Sequence, residues 1–127
     1  MKDGELYSFE KLEAWQLSRS YSKKVYLLIR KFPPEERYGL CDQLRRSVIS
    51  VPSNIAEGCG RFSMKEKVHF IEIAYGSLME SYCQLQLAED LGYISHDEIE
   101  SVHADVNSIA KMLTSLRHSY QKQPIDQ

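Results

Sequence analysis

Glu100 and His103 stand three residues apart, a spacing that puts a carboxylate and an imidazole on one helical face as paired metal ligands. A helical di-metal centre needs two such motifs and inward carboxylates on every helix. This chain has one motif, and it neighbours an intact Ile/Val seam rather than replacing it; His69 and Glu72 give only the reversed spacing. His96 and His118 fall near helix ends and read as surface residues. Gly58-Cys59-Gly60 has neither the strand before it nor the Lys after it that a phosphate-cradling loop requires. No serine or cysteine nucleophile can be matched to a His on a suitable turn. The expectation is no metal, no cofactor and no enzyme.

What remains is a polar stripe. Gln43, Ser47, Ser50, Asn54, Glu57 and Arg61 recur at alternating fours and threes, one face of a helix. Leu40, Leu44, Val48, Val51, Ile55 and Phe62 mark a second, apolar face. Solvated faces usually carry long flexible Lys and Glu; short hydroxyls, an amide and an Arg can instead hold fixed hydrogen bonds. Gln43, Asn54, Glu57, Arg61 and Glu80 are therefore expected in one polar network or interface, fixing the second helix against the third or against a neighbouring subunit. Glu57 and Arg61 have the spacing of a favourable pair within a helix. Arg45 and Arg46 point in different directions, so at least one faces away from the core. Arg presents a rigid fork of donors suited to carboxylates or phosphates.

These side chains are positioned by a chain of 127 residues, enough for one domain with a continuous core. No apolar run approaches a membrane span, and the charged start MKDGELYSFEKLEAW has no signal-peptide core. Cys41, Cys59 and Cys83 are an odd number without C-x-x-C spacing, which suits reduced cytoplasmic thiols; Cys41 and Cys59 read as small buried hydrophobes. The net charge of -2 makes no global case for nucleic acid, but it is unevenly spread. Residues 1–70 carry 13 Lys+Arg against 9 Asp+Glu, whereas residues 71–127 carry 3 against 9. Either the first two helices build an electropositive side, or the halves attract one another.

Four helical patterns are expected, at about 9–32, 35–59, 64–91 and 96–121, all in one domain. Ser8 is the expected cap of the first, with Tyr7 and Leu12 as a hydrophobic staple, and Pro33-Pro34 ends it. The second starts near Pro34 or Glu35 and runs through Pro52 without a phase jump, so one helix kinked near Pro52 is preferred to two. The third opens at the capping box Ser63-x-x-Glu66, carries a seam of Val68, Ile71, Tyr75, Leu78, Tyr82 and Leu85, and stops at Gly92. The fourth opens at Ser95-x-x-Glu98 and carries Ile99, Val102, Val106, Ile109, Leu113, Leu116 and Tyr120. Long helices with short connections give an all-α, antiparallel, up-down-up-down four-helix bundle. Apolar surface on the first and third helices exceeds one seam each, so a homo-oligomer is expected.

Several segments carry a family resemblance: Phe9-x-x-Leu12-x-x-Trp15, Gly39-Leu40-x-x-Gln43-x-Arg45-Arg46, Asn54-Ile55-Ala56-Glu57-Gly58-x-Gly60-Arg61-x-Ser63, and Ile73-Ala74-x-Gly76-Ser77-x-x-Glu80 with Leu91-Gly92-Tyr93. With these the chain resembles the four-helix-bundle family named for proteins encoded in 23S rRNA intervening sequences. The resemblance implies a bacterial, cytoplasmic protein similar to the accessory variability proteins of diversity-generating retroelements. It also implies a homopentamer, since members of the family form five-membered rings. Those accessory relatives bind nucleic acid and a reverse transcriptase through a basic exterior, from which this slightly acidic chain departs. The partners expected are further copies of the chain, RNA or DNA, or a protein, and no membrane. Lys23, Lys24, Arg30, Lys31, Arg45 and Arg46 are the candidate phosphate contacts; the alternative is a structural or protein-binding scaffold that touches no nucleic acid.

Overall fold

The computed structural model describes residues 6–122. Four α-helices follow one another: α1 (Glu13–Ile29), α2 (Leu40–Cys59), α3 (Met64–Asp90) and α4 (His96–Gln121). Among the described residues there is no strand. Each helix packs against the next and α4 closes on α1, with α2 and α3 the most intimately packed pair. Contacts run in opposite directions along three neighbouring pairs, which makes α1 and α2 antiparallel as well. Ser47 meets Gln84 and Ser50 meets Ser77 between α2 and α3. Lys31 meets Glu98 and Lys24 meets Asp105 between α1 and α4. Arg117 meets Glu72 and His96 meets Glu89 between α3 and α4. The result is an antiparallel four-helix bundle.

The helix ends follow local chemistry. At α3, the Ser63 hydroxyl accepts from the Glu66 N–H at 3.1 Å. At α4 the capping box is complete: Ser95 Oγ accepts from Glu98 N–H, and Glu98 Oε1 accepts from Ser95 N–H. Between these helices Gly92 takes φ +80, and the Gly92 and Tyr93 N–H groups donate back to the Glu89 and Ala88 carbonyls. This left-handed stop leads the chain straight into α4. α1 begins later than its sequence pattern suggests. Ser8–Lys11 is a separate 3-10 turn, and Leu12 in extended conformation precedes α1 with no side-chain cap, so Ser8 caps nothing there. Likewise Pro34–Glu36 is a 3-10 turn, and α2 starts only at Leu40.

Pro52 lies inside an uninterrupted α2. Having no N–H, it cannot bond the Val48 carbonyl one turn back. The Ser22 hydroxyl of α1 lies 3.3 Å from that carbonyl and 2.8 Å from the Ser18 carbonyl, so its one proton is shared between the two. A hydroxyl from a neighbouring helix thus meets in part the need the proline creates.

The core runs the length of the bundle. Val25 and Ile29, Leu44, Val48, Val51 and Ile55, and the α4 row Ile99, Val102, Val106, Ile109 and Leu113 are all buried. Burial of each such side chain contributes roughly 1.5–3 kcal/mol before entropy is counted. On α3 the central line is Ile71, Ala74, Leu78, Ser81, Leu85 and Ala88. Tyr75 is exposed and Tyr82 sits at the flank, so the expected tyrosine seam is displaced by small residues. The reason is Tyr21: fully buried, it crosses the bundle from α1, and its hydroxyl meets Ser81 Oγ at 2.8 Å. Small side chains on α3 leave room for that ring. At the α2–α3 corner the backbones approach so closely that a Cβ on Gly58 would stand 2.9 Å from Phe70 Cβ. The apolar face of α2 ends there; Phe62 falls in the turn beyond and is exposed rather than buried.

Candidate functional site

The polar stripe on α2 divides in two. Its first part lies against α3, with Ser47 and Gln84 buried and Ser50, Asn54 and Ser77 half-buried. Ser47 Oγ donates to Gln84 Oε1 at 2.7 Å, and Gln84 Nε2 donates to Glu80 at 3.2 Å. One turn on, Ser50 and Ser77 share a hydrogen bond of 2.8 Å, and Asn54 Nδ2 donates to both the carbonyl and the hydroxyl of Ser50. Its second part is surface: Arg61 donates to Glu57 at 2.6 Å, with the two side chains 43% and 49% exposed. The Arg61 guanidinium also lies 4.6 Å from the Phe70 ring centroid. Ser47–Gln84 and Ser50–Ser77 therefore join the two helices, with Asn54 and the exposed Glu80 bonded to them from within their own helices, while Glu57 and Arg61 stand apart as an exposed pair. Gln43 is exposed at the start of α2. Gln84 is the partner that sequence reasoning missed. Its amide lies four residues from the more conspicuous Glu80, inside an apolar run, with no distinguishing spacing.

The six candidate phosphate contacts also separate. Lys24 is bonded to Asp105 at 2.8 Å, Lys31 to Glu98, and Arg46 to Asp42 at 3.4 Å. The first two pairs join the basic first half of the chain to its acidic second half. The Lys31 bond, followed by the Ser95 N–H, holds the Glu98 carboxyl below its ordinary range. Lys23, Arg30 and Arg45 have no acidic partner among the described residues. Helical spacing puts Lys23 and Arg30 on one outward face of α1, with Arg19 one turn before and Tyr26 between them. Arg19, also without an acidic partner among the described residues, lies 5.3 Å from the Trp15 ring centroid. Arg19 went unnoticed in sequence, although the steps from 19 to 23 and 30 are a legible helical row.

At the end of the bundle where α1 stops, the connection to α2 is tied down by Glu36. Its carboxylate accepts from the Leu40 N–H at 3.1 Å and from the Tyr93 hydroxyl at 2.8 Å. The Leu40 bond, then the Tyr93 bond, holds this carboxyl below its usual range, and the same contact raises the Tyr93 phenol. The Tyr93 ring in turn packs on Phe32, centroids 5.5 Å apart.

The remaining chemistry is dispersed. Glu100 and His103 are exposed on α4, and His103 lies beside the Tyr82 ring at 5.7 Å. Among the described residues, no three His, Cys, Asp or Glu side chains converge as metal ligands. The three cysteines are free; Cys41 is buried, Cys59 half-buried and Cys83 exposed. An open groove of about 450 Å³ between the start of α1 and the end of α4 is lined by Leu12, Ala14, Met112 and Leu116, with Lys111 and Glu13 at its rim. No helix among the described residues is long and apolar enough to cross a membrane.

The fold and its surface define a class first: an antiparallel helical bundle whose polar chemistry lies between helices and along their outer faces. The chain belongs to the 23S rRNA-intervening sequence protein family, whose description matches residues 10–115. Among curated proteins nothing matches it. It is similar in structure to a protein of unknown function from the S23 ribosomal protein family of Bacteroides thetaiotaomicron. That likeness has a TM-score of 0.76 at 24% identity and covers 83% of this chain and 95% of the other, which speaks for the fold.

Proposed function

We propose that the protein is a non-catalytic, self-assembling adaptor that holds a nucleic-acid backbone along the outer face of α1. One observation carries this reading. Arg19, Lys23 and Arg30 share that face without an acidic partner among the described residues, while the neighbouring Lys24 and Lys31 are neutralised by α4. Guanidinium and ammonium groups spaced along a helix are suited to successive phosphates, and such contacts weaken steeply with salt. Self-assembly is supported by Ile73, Met79 and Leu87, large apolar residues left exposed on α3. A ring, with five subunits as the family resemblance implies, multiplies a weak site into a strong one. Three free thiols suit a cytoplasmic setting.

The test is a salt titration of RNA and DNA binding, with light scattering on the same samples. Expected are an oligomer mass and an affinity that falls with salt, with a shallower slope in Arg19→Ala/Lys23→Ala. Absence of binding at ~50 mM salt overturns the nucleic-acid reading. The net charge of -2 then favours the other reading, a scaffold for a protein partner. A monomer mass at micromolar concentration overturns self-assembly.

A further inference from the structure

The turn between α1 and α2 carries a side chain with no structural work to do. Tyr38 is 86% exposed, so it contributes little to the core. The Arg37 guanidinium lies 6.0 Å from its ring centroid, and the ring is otherwise open to solvent. The segment presenting it is firmly held. Pro33 and Pro34 fix the backbone at its start, Pro34–Glu36 forms a 3-10 turn, and Glu36 ties Leu40 and Tyr93 together. A large aromatic ring held out on a braced turn loses little freedom when it is covered.

We propose that Tyr38, with Arg37 beside it, is a stacking platform for an unpaired base of a single-stranded nucleic acid whose backbone continues along α1. This rests on the phosphate-binding reading of α1 and names the form of nucleic acid that surface takes. Arg30 ends the basic row just before this turn, so platform and row lie at the same end of α1. Along the helix axis Arg19 and Lys23 are about 6 Å apart, and Lys23 and Arg30 about 10 Å. A flexible single strand adjusts to such uneven steps; Tyr26, at the rim of the same face, offers a second apolar contact between them. A duplex hides its base faces everywhere but at its ends and gives Tyr38 nothing to stack on. The charge of the chain sharpens the argument. At a net -2, phosphate attraction alone is weak, and stacking supplies a component that salt does not screen.

Fluorescence anisotropy of the full chain decides it, using labelled single-stranded RNA, the same strand as DNA, and blunt duplexes of both. Wild type is expected to bind a single strand at least tenfold more tightly than the duplex. Tyr38→Ala should weaken single-strand binding by roughly 5- to 150-fold without changing its salt slope, and Tyr38→Phe, which keeps the ring, should bind like wild type. Arg19→Ala/Lys23→Ala should instead make the slope shallower. Circular dichroism of Tyr38→Ala should match wild type, since the side chain is exposed. Salt-dependent binding that Tyr38→Ala leaves intact, or equal affinity for the duplex, overturns the platform and spares the phosphate row. No binding of any probe by wild type overturns both.

Discussion

Replacing Ser22 by Ala should cost about 1 kcal/mol, and that cost should nearly vanish once Pro52 is also replaced. The Ser22 hydroxyl has one proton and two acceptors in reach, the Ser18 carbonyl at 2.8 Å and the Val48 carbonyl at 3.3 Å. Loss of the hydroxyl matters little to Ser18, whose carbonyl also takes the backbone N–H of Ser22 inside α1. It matters to Val48, which is fully buried and has lost its own helical donor to Pro52. A buried carbonyl left unpaired costs ~1–3 kcal/mol, and the 3.3 Å length puts this one at the low end. For a domain of this size, 1 kcal/mol lowers Tm by roughly 3–5 °C. In Pro52→Ala a backbone N–H returns at position 52 and can bond Val48, making the hydroxyl redundant. Urea denaturation of the two single variants and the double variant measures the coupling directly. Equal cost of Ser22→Ala in both backgrounds would show that the hydroxyl acts through Ser18 or packing, and the reasoning fails.

Two further outcomes follow from the divided stripe and from the shifted ionisations. Glu57→Ala and Arg61→Ala should each change stability by less than about 0.5 kcal/mol and add simply, as exposed pairs do, whereas Gln84→Ala should cost about 1–2 kcal/mol. Chemical denaturation compares them, and a larger loss at Glu57 than at Gln84 would reverse the assignment. Glu36 and Glu98 sit below the ordinary carboxylate range, Leu40 N–H and Lys31 being the main causes, so each favours the fold above about pH 4.3 and this help is lost as pH falls through its lowered value. Burial pushes the Tyr21 phenol up to about 12, so its contribution is intact below about pH 10 and is lost as pH rises towards 12. The urea midpoint should therefore fall on both sides, with the alkaline fall starting at about pH 9, because burial also pushes the Cys41 thiol up. Glu98→Gln should lessen the acid fall, which Glu36 shares, and Tyr21→Phe should lessen the alkaline fall, which the raised Tyr93 and Tyr120 phenols share; limbs left unchanged by these substitutions would refute the attribution.

The parts of this fold legible in sequence were those with strong local chemistry. Ser63 and Ser95, each three residues before a Glu, mark real helix starts, and Gly92 marks a real stop. The α4 row is buried from Ile99 to Leu113 as its spacing implies. The start of α1 was harder because Leu12 has no capping side chain and the preceding residues form a tighter turn. On α3, periodicity allowed two neighbouring seams, and the choice between them rests on a partner from α1 that no local pattern reveals. The α2 stripe identified a face but not its reach. Whether Arg61 meets solvent or a neighbour depends on α2 ending at Cys59, beyond which the chain no longer presents a helical face. Charge counting suggested two helices with a basic side, yet only the folded arrangement shows which cations α4 neutralises.

Tyr21 and Ser81 have a consequence for alignment. Ala74, Ser81 and Ala88 lie seven residues apart on the central line of α3, and all three are small and buried. Small side chains alone therefore do not single out the seat that the ring takes. The hydroxyl of Tyr21 does: among these three only Ser81 answers it, and against Ala74 or Ala88 it would be stranded in the core at a penalty of ~1–3 kcal/mol. That difference favours the observed seat by roughly five- to 150-fold. The buried oxygen pair thus acts as a key in its slot, alongside the Ser47–Gln84 bond and the Gly58–Phe70 approach, contributing singularity of structure more than net stability.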